Sequence, residues 1–348
     1  MESRWKRILV VAILFIVSVL YYQTRHLVDI LMKSLDQLNT IHTPRLEYIR
    51  PAGNPEELLA IFAELTEKHQ STKRWKGPEQ QLPQSPQQIA EKYGIPQTQR
   101  DVECNINGTT QIGWIPNAMG DVLHMSHQGR IPRLIFQSWK TNRLKPEVCH
   151  NILRWSNMNP EYDYFLFDNK AIDNFIRLEY GPEIFSSYAC VEVGAAKCDV
   201  WRLFVIYLFG GVYFDADVRL WTPLHDWDWG DRDVVTARSC TGAPRKYPGG
   251  CAHQWGMIYE PYHRVIHDAI AETLTNLANR QANNVYDVSF WSYYHAWRNG
   301  PYNQSYMPGW GEEMGGRVSF QDNTVKQSMV KDNGHWQKDK QIWNENCL

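Results

Sequence analysis

The sequence has no CxxC pair, no internal repeat, no low-complexity tract and no surplus of charge of either sign. Seven cysteines without metal-ligand spacing argue against a cysteine-held zinc site. Thirty-six basic residues against 38 acidic ones leave a net charge of −2, so nothing points to a nucleic-acid partner. No small-x-small cleavage site follows the apolar run near the N-terminus, which argues against a cleaved signal peptide. What remains is ordinary globular composition, 43% hydrophobic and 21% charged over 348 residues, enough for one large domain with appendages. The chain is rich in aromatics, with 15 Trp and 18 Tyr. Their faces suit sugars or nucleotide bases, and a Trp-rich core is the plainer reading of any single one.

Arg4, Lys6 and Arg7 precede ILVVAILFIVSVLYY, and no charge appears until Arg25. The 17 uncharged residues 8–24 reach the lower limit for a spanning helix. Basic residues before the span predict residues 1–7 as a cytoplasmic tail, a single-pass anchor at 8–24 and a lumenal body. A short span suits thin early secretory membranes, so the expected location is the Golgi membrane, type II. Two sequons, at Asn107 and Asn303, agree with a lumenal body, which also permits disulfides. Cys240 and Cys251 flank the loop TGAPRKYPGG and are the expected pair.

Residues 25–125 read as stem and N-terminal helical region. LVDILMKSLDQL has helical apolar spacing, 50–60 and 85–93 give short helices, and KRWKGPEQQLPQSP between them is a polar, Pro-rich linker. The pattern changes near residue 126, where a domain running to 348 begins. IPRLIFQSW, YDYFLFD and VYFDADV read as strands, and PEVCHNILRWSNMNP, NKAIDNFIRLEYG and GAAKCDVWRLFVIYLFGG as the helices between them. Strands alternating with helices predict an α/β sheet with parallel pairing. In such sheets ligands bind beyond the C-terminal ends of strands, where Trp139, Asp168, Asp215 and Asp217 all fall.

On a strand, Asp215 and Asp217 would face one way, about 6–7 Å apart at Cα. Like charges that close need a cation between them, and a hard divalent ion bound through oxygens, Mn²⁺ or Mg²⁺, supplies one. A pair of solvated turn aspartates is the bland alternative. Upstream, Asp199 and Arg202 stand at i and i+3 on a helix that is otherwise apolar, so they share one buried face. They are an internal ion pair, or a pair whose carboxylate accepts from sugar hydroxyls while the guanidinium handles sugar or phosphate oxygens.

With those residues in view, GAAKCDVWRLFVIYLFGGVYFDADV resembles the signature of the DXD glycosyltransferases of the Och1-like family. That pattern runs roughly A-x-x-S-D-x-x-R, an apolar run, then L-Y-x-x-G-G-x-Y-x-D-x-D, and the chain departs from it by Cys198 in place of Ser. IPRLIFQSWK and NPEYDYFLFD resemble the family's first two strands, so the resemblance covers about 131–260. It implies a GT-A nucleotide-sugar-binding sandwich and a retaining, metal-dependent transfer of a hexose to a glycan or glycolipid acceptor. GDP-mannose is the favoured donor, with UDP-sugars as the alternative. By the resemblance Trp139 packs on the base, Asp168 lies near base or ribose, and Asp199 and Arg202 hold the donor sugar. Asp215 and Asp217 hold the metal, and His335 offers a third ligand or is an ordinary surface histidine. YDVSFWSYYHAW either lines the acceptor site through Trp291, Tyr294 and Trp297 or is an aromatic core helix.

Two rivals belong to other classes. YFDADV also fits the nucleophile motif of a haloacid-dehalogenase-type phosphatase, but that motif opens its domain, and here two strands and three helices precede it. A non-catalytic lumenal glycan-binding protein would have no need of an intact D-x-D and D-x-x-R.

Overall fold

The computed structural model describes residues 54–72, 84–118, 131–227, 234–239, 251–280, 282–299, 318–319, 341–344 and 347. All lie in one compact unit, Arg50–Leu348. The expected anchor at 8–24 and stem at 25–45 fall outside these residues. Among the described ones, no helix is long and apolar enough to cross a membrane.

Helices α1 (Pro55–Thr72) and α2 (Pro86–Tyr93) come first, followed by two short strands, β1 (Thr110–Gln111) and β2 (Trp114–Ile115). Next are β3 (Leu134–Ser138), β4 (Arg143–Leu144), α3 (Pro146–Met158), β5 (Asp163–Phe167), α4 (Asn169–Ala189), α5 (Gly194–Phe209) and β6 (Gly211–Phe214). Beyond them lie β7 (Arg219–Leu220), β8 (Val234–Ser239), β9 (Cys251–Tyr259), α6 (Arg264–Asn279), α7 (Val285–Val288), α8 (Phe290–Asn299) and β10 (Val318–Ser319). The main sheet has six strands in the order β2-β5-β3-β6-β9-β8.

The three strands read from sequence are its centre, and β3 pairs in parallel with β5 on one side and β6 on the other. The remaining pairings are antiparallel, so the sheet is mixed. Segment 84–118, placed with the N-terminal helical region, contributes β2 to this sheet. Alternate residues serve opposite layers. Ile135, Tyr164, Leu166, Val212 and Phe214 pack with Val148, Ile152 and Trp155 of α3 in one cluster. On the other face Phe136 stacks near Phe209 at 6.0 Å and Phe167 near Trp201 of α5 at 4.8 Å. Twelve of the 16 residues of α5 are buried, as its nearly unbroken apolar run requires.

Gly210 and Gly211 make the reversal from α5 into β6. Both have positive φ, +64° and +91°. A Cβ at Gly210 would sit 2.6 Å from Pro261 N, and one at Gly211 would sit 2.7 Å from Leu134 O. Three expected boundaries shift. β6 ends at Phe214 rather than running to Val218, because the Val218 N–H bonds back to Asp215 O at 2.9 Å and closes a turn. The D-x-D therefore lies on a turn, and strand alternation does not orient it. The helix expected to stop at Gly181 restarts at once, with Gly181 at φ 84° followed by Pro182, a favoured helix-opening residue. The helix placed at 50–60 extends to Thr72.

Two disulfides tie the ends of the fold to its centre. Cys104–Cys149 joins the segment before β1 to α3, and Cys190–Cys347 joins the end of α4 to the C-terminal segment. The expected Cys240–Cys251 pairing cannot be placed, since Cys240 lies outside the described residues. Bridges that close loops of 45 and 157 residues restrict the unfolded chain strongly. Replacing Cys190 or Cys104 by Ser is expected to cost about 2–5 kcal/mol. Thermal melts with and without dithiothreitol check this, and each variant should resemble the partly reduced protein.

Candidate active site

The central feature is a guanidinium shared by two carboxylates. Arg202 Nη2 lies 2.6 Å from Asp199 Oδ1 and 2.9 Å from Asp215 Oδ1. Arg202 Nη1 donates to Gln254 O of β9 at 3.1 Å. The Tyr213 ring sits 4.8 Å from the guanidinium carbon, and its hydroxyl donates to Asp215 Oδ1 at 2.6 Å. Arg202 is 5% exposed and Asp199 9%, so both act in a low dielectric. Arg202 Nε has no hydrogen-bond partner among the described residues.

The local sequence explains the meeting. Arg202 precedes Gly210 by eight residues, about 12 Å back along α5 at the helix rise. Asp215 follows Gly211 by four, about 13 Å along an extended chain. A tight Gly-Gly reversal thus returns the carboxylate to the height of the guanidinium. Tyr213 and Asp215, two residues apart, both reach the α5 side, where the hydroxyl of one meets the carboxylate of the other. Cys198, one helical turn before Arg202, lies 2.7 Å from Ser138 Oγ and 3.4 Å from Tyr213 Oη, and accepts from Arg202 Nη2 at 3.5 Å.

Electrostatics follow from burial and sharing. Burial lowers the Arg202 pKa, but Asp199 and Asp215 outweigh it and hold the guanidinium charged far above its usual range. Burial pushes the Asp199 carboxyl up to about 7, because Arg202 only partly offsets the desolvation and Asp215 competes for it. Asp215 is also raised by burial, against the pull of Arg202 and the Tyr213 hydroxyl.

The other sequence-picked residues fall at the ends of strands, on α8 or outside the described residues. Trp139 follows β3, half-buried against the core, with its backbone N–H bonded to Phe167 O at 3.1 Å. Asp168 follows β5 and caps α4, its Oδ1 accepting from Ala171 N at 2.9 Å. Asp217 is half-buried in the turn after Asp215. His335 and Asn303 fall outside the described residues. Tyr294 and Trp297 are buried, so α8 packs as an aromatic core helix, with Trp291 half-buried beside them. In their place α7 brings Tyr286, 46% exposed, close enough to Asp199 for the carboxylate to raise its pKa, a smaller effect than burial. Sequence reasoning missed Tyr213, Ser138 and Gln254. Tyr213 was findable as the i−2 neighbour of Asp215, whereas the other two come from distant strands.

Among the described residues no three His, Cys, Asp or Glu side chains cluster to hold a metal. The donor chemistry nevertheless fits a hard divalent cation completed by phosphate oxygens and water. With both ionised, Asp199 and Asp215 against Arg202 leave an excess of one negative charge before Asp217 is counted.

Residues 146–236 match the family described as glycosyltransferase sugar-binding region containing DXD motif. Several curated relatives align over it. Inositol phosphoceramide mannosyltransferase 3 of Schizosaccharomyces pombe is 27% identical over 32% of this chain and 32% of its own length. The initiation-specific alpha-1,6-mannosyltransferase of Candida albicans is 26% identical over 32% of this chain and 30% of its own. The aligned part thus spans about a third of those relatives. Among solved structures the PaToxG glycosyltransferase overlays with a TM-score of 0.36 at 14% identity, covering 58% of this chain and 74% of that one. That overlay is too loose to assign residues by.

Two outcomes follow. Arg202→Met leaves buried Asp199 and half-buried Asp215 without their cation and should cost about 3 kcal/mol or more, read by denaturant unfolding. The folded protein holds the Asp199 proton up to about pH 7, while the unfolded chain releases it near about 3.9. Between those values the native state binds more protons, so metal-free stability should fall as pH rises. Asp199→Asn should flatten that slope in melts from pH 4.5 to 7.5.

Proposed function

We propose that the chain is a metal-dependent glycosyltransferase that moves mannose from GDP-mannose to a glycan or glycolipid hydroxyl. One observation carries the reading: Arg202 joins the helical Asp199 to the first carboxylate of the D-x-D, beyond the C-terminal edge of parallel strands. The relatives' names, an inositol phosphoceramide mannosyltransferase and an initiation-specific alpha-1,6-mannosyltransferase, support mannose as the sugar and, for the first, a glycolipid acceptor.

In this reading Trp139 stacks on the base and Asp168 lies near the base or ribose. Asp199, held by Arg202, accepts from donor-sugar hydroxyls. Asp215 and Asp217 hold Mn²⁺ or Mg²⁺, with His335 as a candidate third ligand. The ion supplies Lewis-acid neutralisation of the leaving diphosphate. The bond from the sugar's anomeric carbon to the diphosphate breaks, and a bond to the acceptor oxygen forms on the same face. The acceptor proton leaves with the nucleoside diphosphate. No side chain need act as nucleophile.

The setting is a lumenal domain behind a type II anchor in the Golgi membrane. Two disulfides fit an oxidising compartment, and Asn107 lies exposed on a turn where it can carry a glycan. The test screens GDP-mannose, UDP-galactose, UDP-glucose and UDP-N-acetylglucosamine for nucleoside diphosphate release, with Mn²⁺ and with EDTA. Release from GDP-mannose that EDTA abolishes is expected. Release from a UDP-sugar alone would change the donor, and silence with every donor would sink the enzymatic reading. Asp217→Ala should abolish turnover while the melting temperature holds.

A further inference from the structure

The backbone of the D-x-D turn is gripped by side chains from two other elements. Asn151 Nδ2 donates to Ala216 O at 2.7 Å and to Val218 O at 3.1 Å. Trp155 Nε1 donates to Val218 O at 2.8 Å. The two stand at i and i+4 on α3, on one face. From β3, Gln137 Nε2 donates to Phe214 O at 3.3 Å and Asp215 O at 3.2 Å, while its Oε1 accepts from Tyr164 Oη at 2.9 Å. All these side chains are buried. Helix α3 is itself anchored by Cys149, two residues before Asn151.

The two peptide planes that flank Asp217 are therefore both fixed. The plane before it is pinned by Asn151 at Ala216 O. The plane after it is pinned by Val218 N on Asp215 O. With both planes set, the Cα–Cβ direction of Asp217 is set as well. A two-residue turn without such grips has several backbone solutions, each of which sends that carboxylate elsewhere.

We propose that Asn151, backed by Trp155, is a positioning residue that aims the Asp217 carboxylate at the bound cation. This deepens the proposed function and rests on reading Asp217 as a metal ligand. The bland role for Asn151 is to satisfy two buried carbonyls. That role predicts lost stability and unchanged metal affinity in whatever protein remains folded. Aiming predicts lost affinity, since groups that orient metal ligands change it about 10–100-fold when removed.

The experiment uses the full chain with GDP present, titrating Mn²⁺ and reading free ion by electron paramagnetic resonance, with a thermal melt of each sample. Asn151→Ala is expected to weaken Mn²⁺ binding about tenfold or more. Trp155→Phe removes one N–H and is expected to weaken it about two- to tenfold. Turnover in both should recover toward the parent value at saturating Mn²⁺, with the KM for donor little changed. Folded variants that bind Mn²⁺ within twofold of the parent overturn the proposal, and if Asn151→Ala does not fold, Trp155→Phe decides by that criterion. A parent chain that binds no Mn²⁺ with GDP and none with UDP overturns the metal reading of Asp217 and this proposal with it. That outcome is distinct from a binding parent with unaffected variants.

Discussion

The Arg202 guanidinium, buried and shared between Asp199 and Asp215, is the constraint around which the rest is arranged. An ion cluster inside a helix as apolar as α5 costs desolvation that hydrophobic residues of the same volume would avoid. Its retention makes sense where the charges are needed at a site. The sharing also leaves the cluster short of positive charge and leaves Asp199 able to hold a proton near neutrality. A cation arriving beside Asp215 would relieve the first and favour the ionised form of the second. Donor hydroxyls and cation would thus meet carboxylates already held in place, with little reorganisation at the moment of transfer.

The site is held from both faces of the sheet. Tyr213 and Asp215 look toward α5, where Arg202 and Cys198 receive them. On the opposite face α3 and Gln137 hold the backbone by its carbonyls. The last two residues of β3 divide between these tasks, Gln137 reaching the turn carbonyls and Ser138 reaching Cys198. Each side chain on the α5 side is thereby anchored through a main chain that cannot slide along the strand. The Gly210–Gly211 reversal completes the arrangement, because helix rise and strand rise agree only when no extra residue intervenes.

Much of this was legible in the sequence, for identifiable reasons. Strands β3, β5 and β6 are short apolar runs bounded by strong stop signals, and Asp199 with Arg202 stand out because an i, i+3 charged pair inside an apolar helix has few readings. Three features were hidden. The turn that ends β6 closes through Val218 N–H on Asp215 O and takes further hydrogen bonds from Asn151 and Trp155 of α3, some 65 residues away. The antiparallel strands β8 and β9 stand on either side of a Gly/Pro-rich loop and show no strict alternation. Asp168 reads as a site residue by position, yet its carboxylate also has the local work of capping α4. The same carboxylate at a strand end can cap a helix or meet a ligand, and pattern alone does not separate those uses.

Cys198 tests how far the family pattern constrains the chemistry. A serine there would offer a hydroxyl to the same neighbours, Ser138, Tyr213 and Arg202. The thiol is a weaker donor and acceptor, and burial raises its pKa, with Asp215 and Asp199 adding to the effect against Arg202. It therefore stays protonated and adds no charge to a cluster whose balance depends on one guanidinium. The electrostatics of the site are unchanged by the exchange of oxygen for sulfur. What changes is the strength of the contact between position 198 and Tyr213, whose hydroxyl donates to Asp215 Oδ1. A softer neighbour on one side of that hydroxyl is compatible with the short bond on the other.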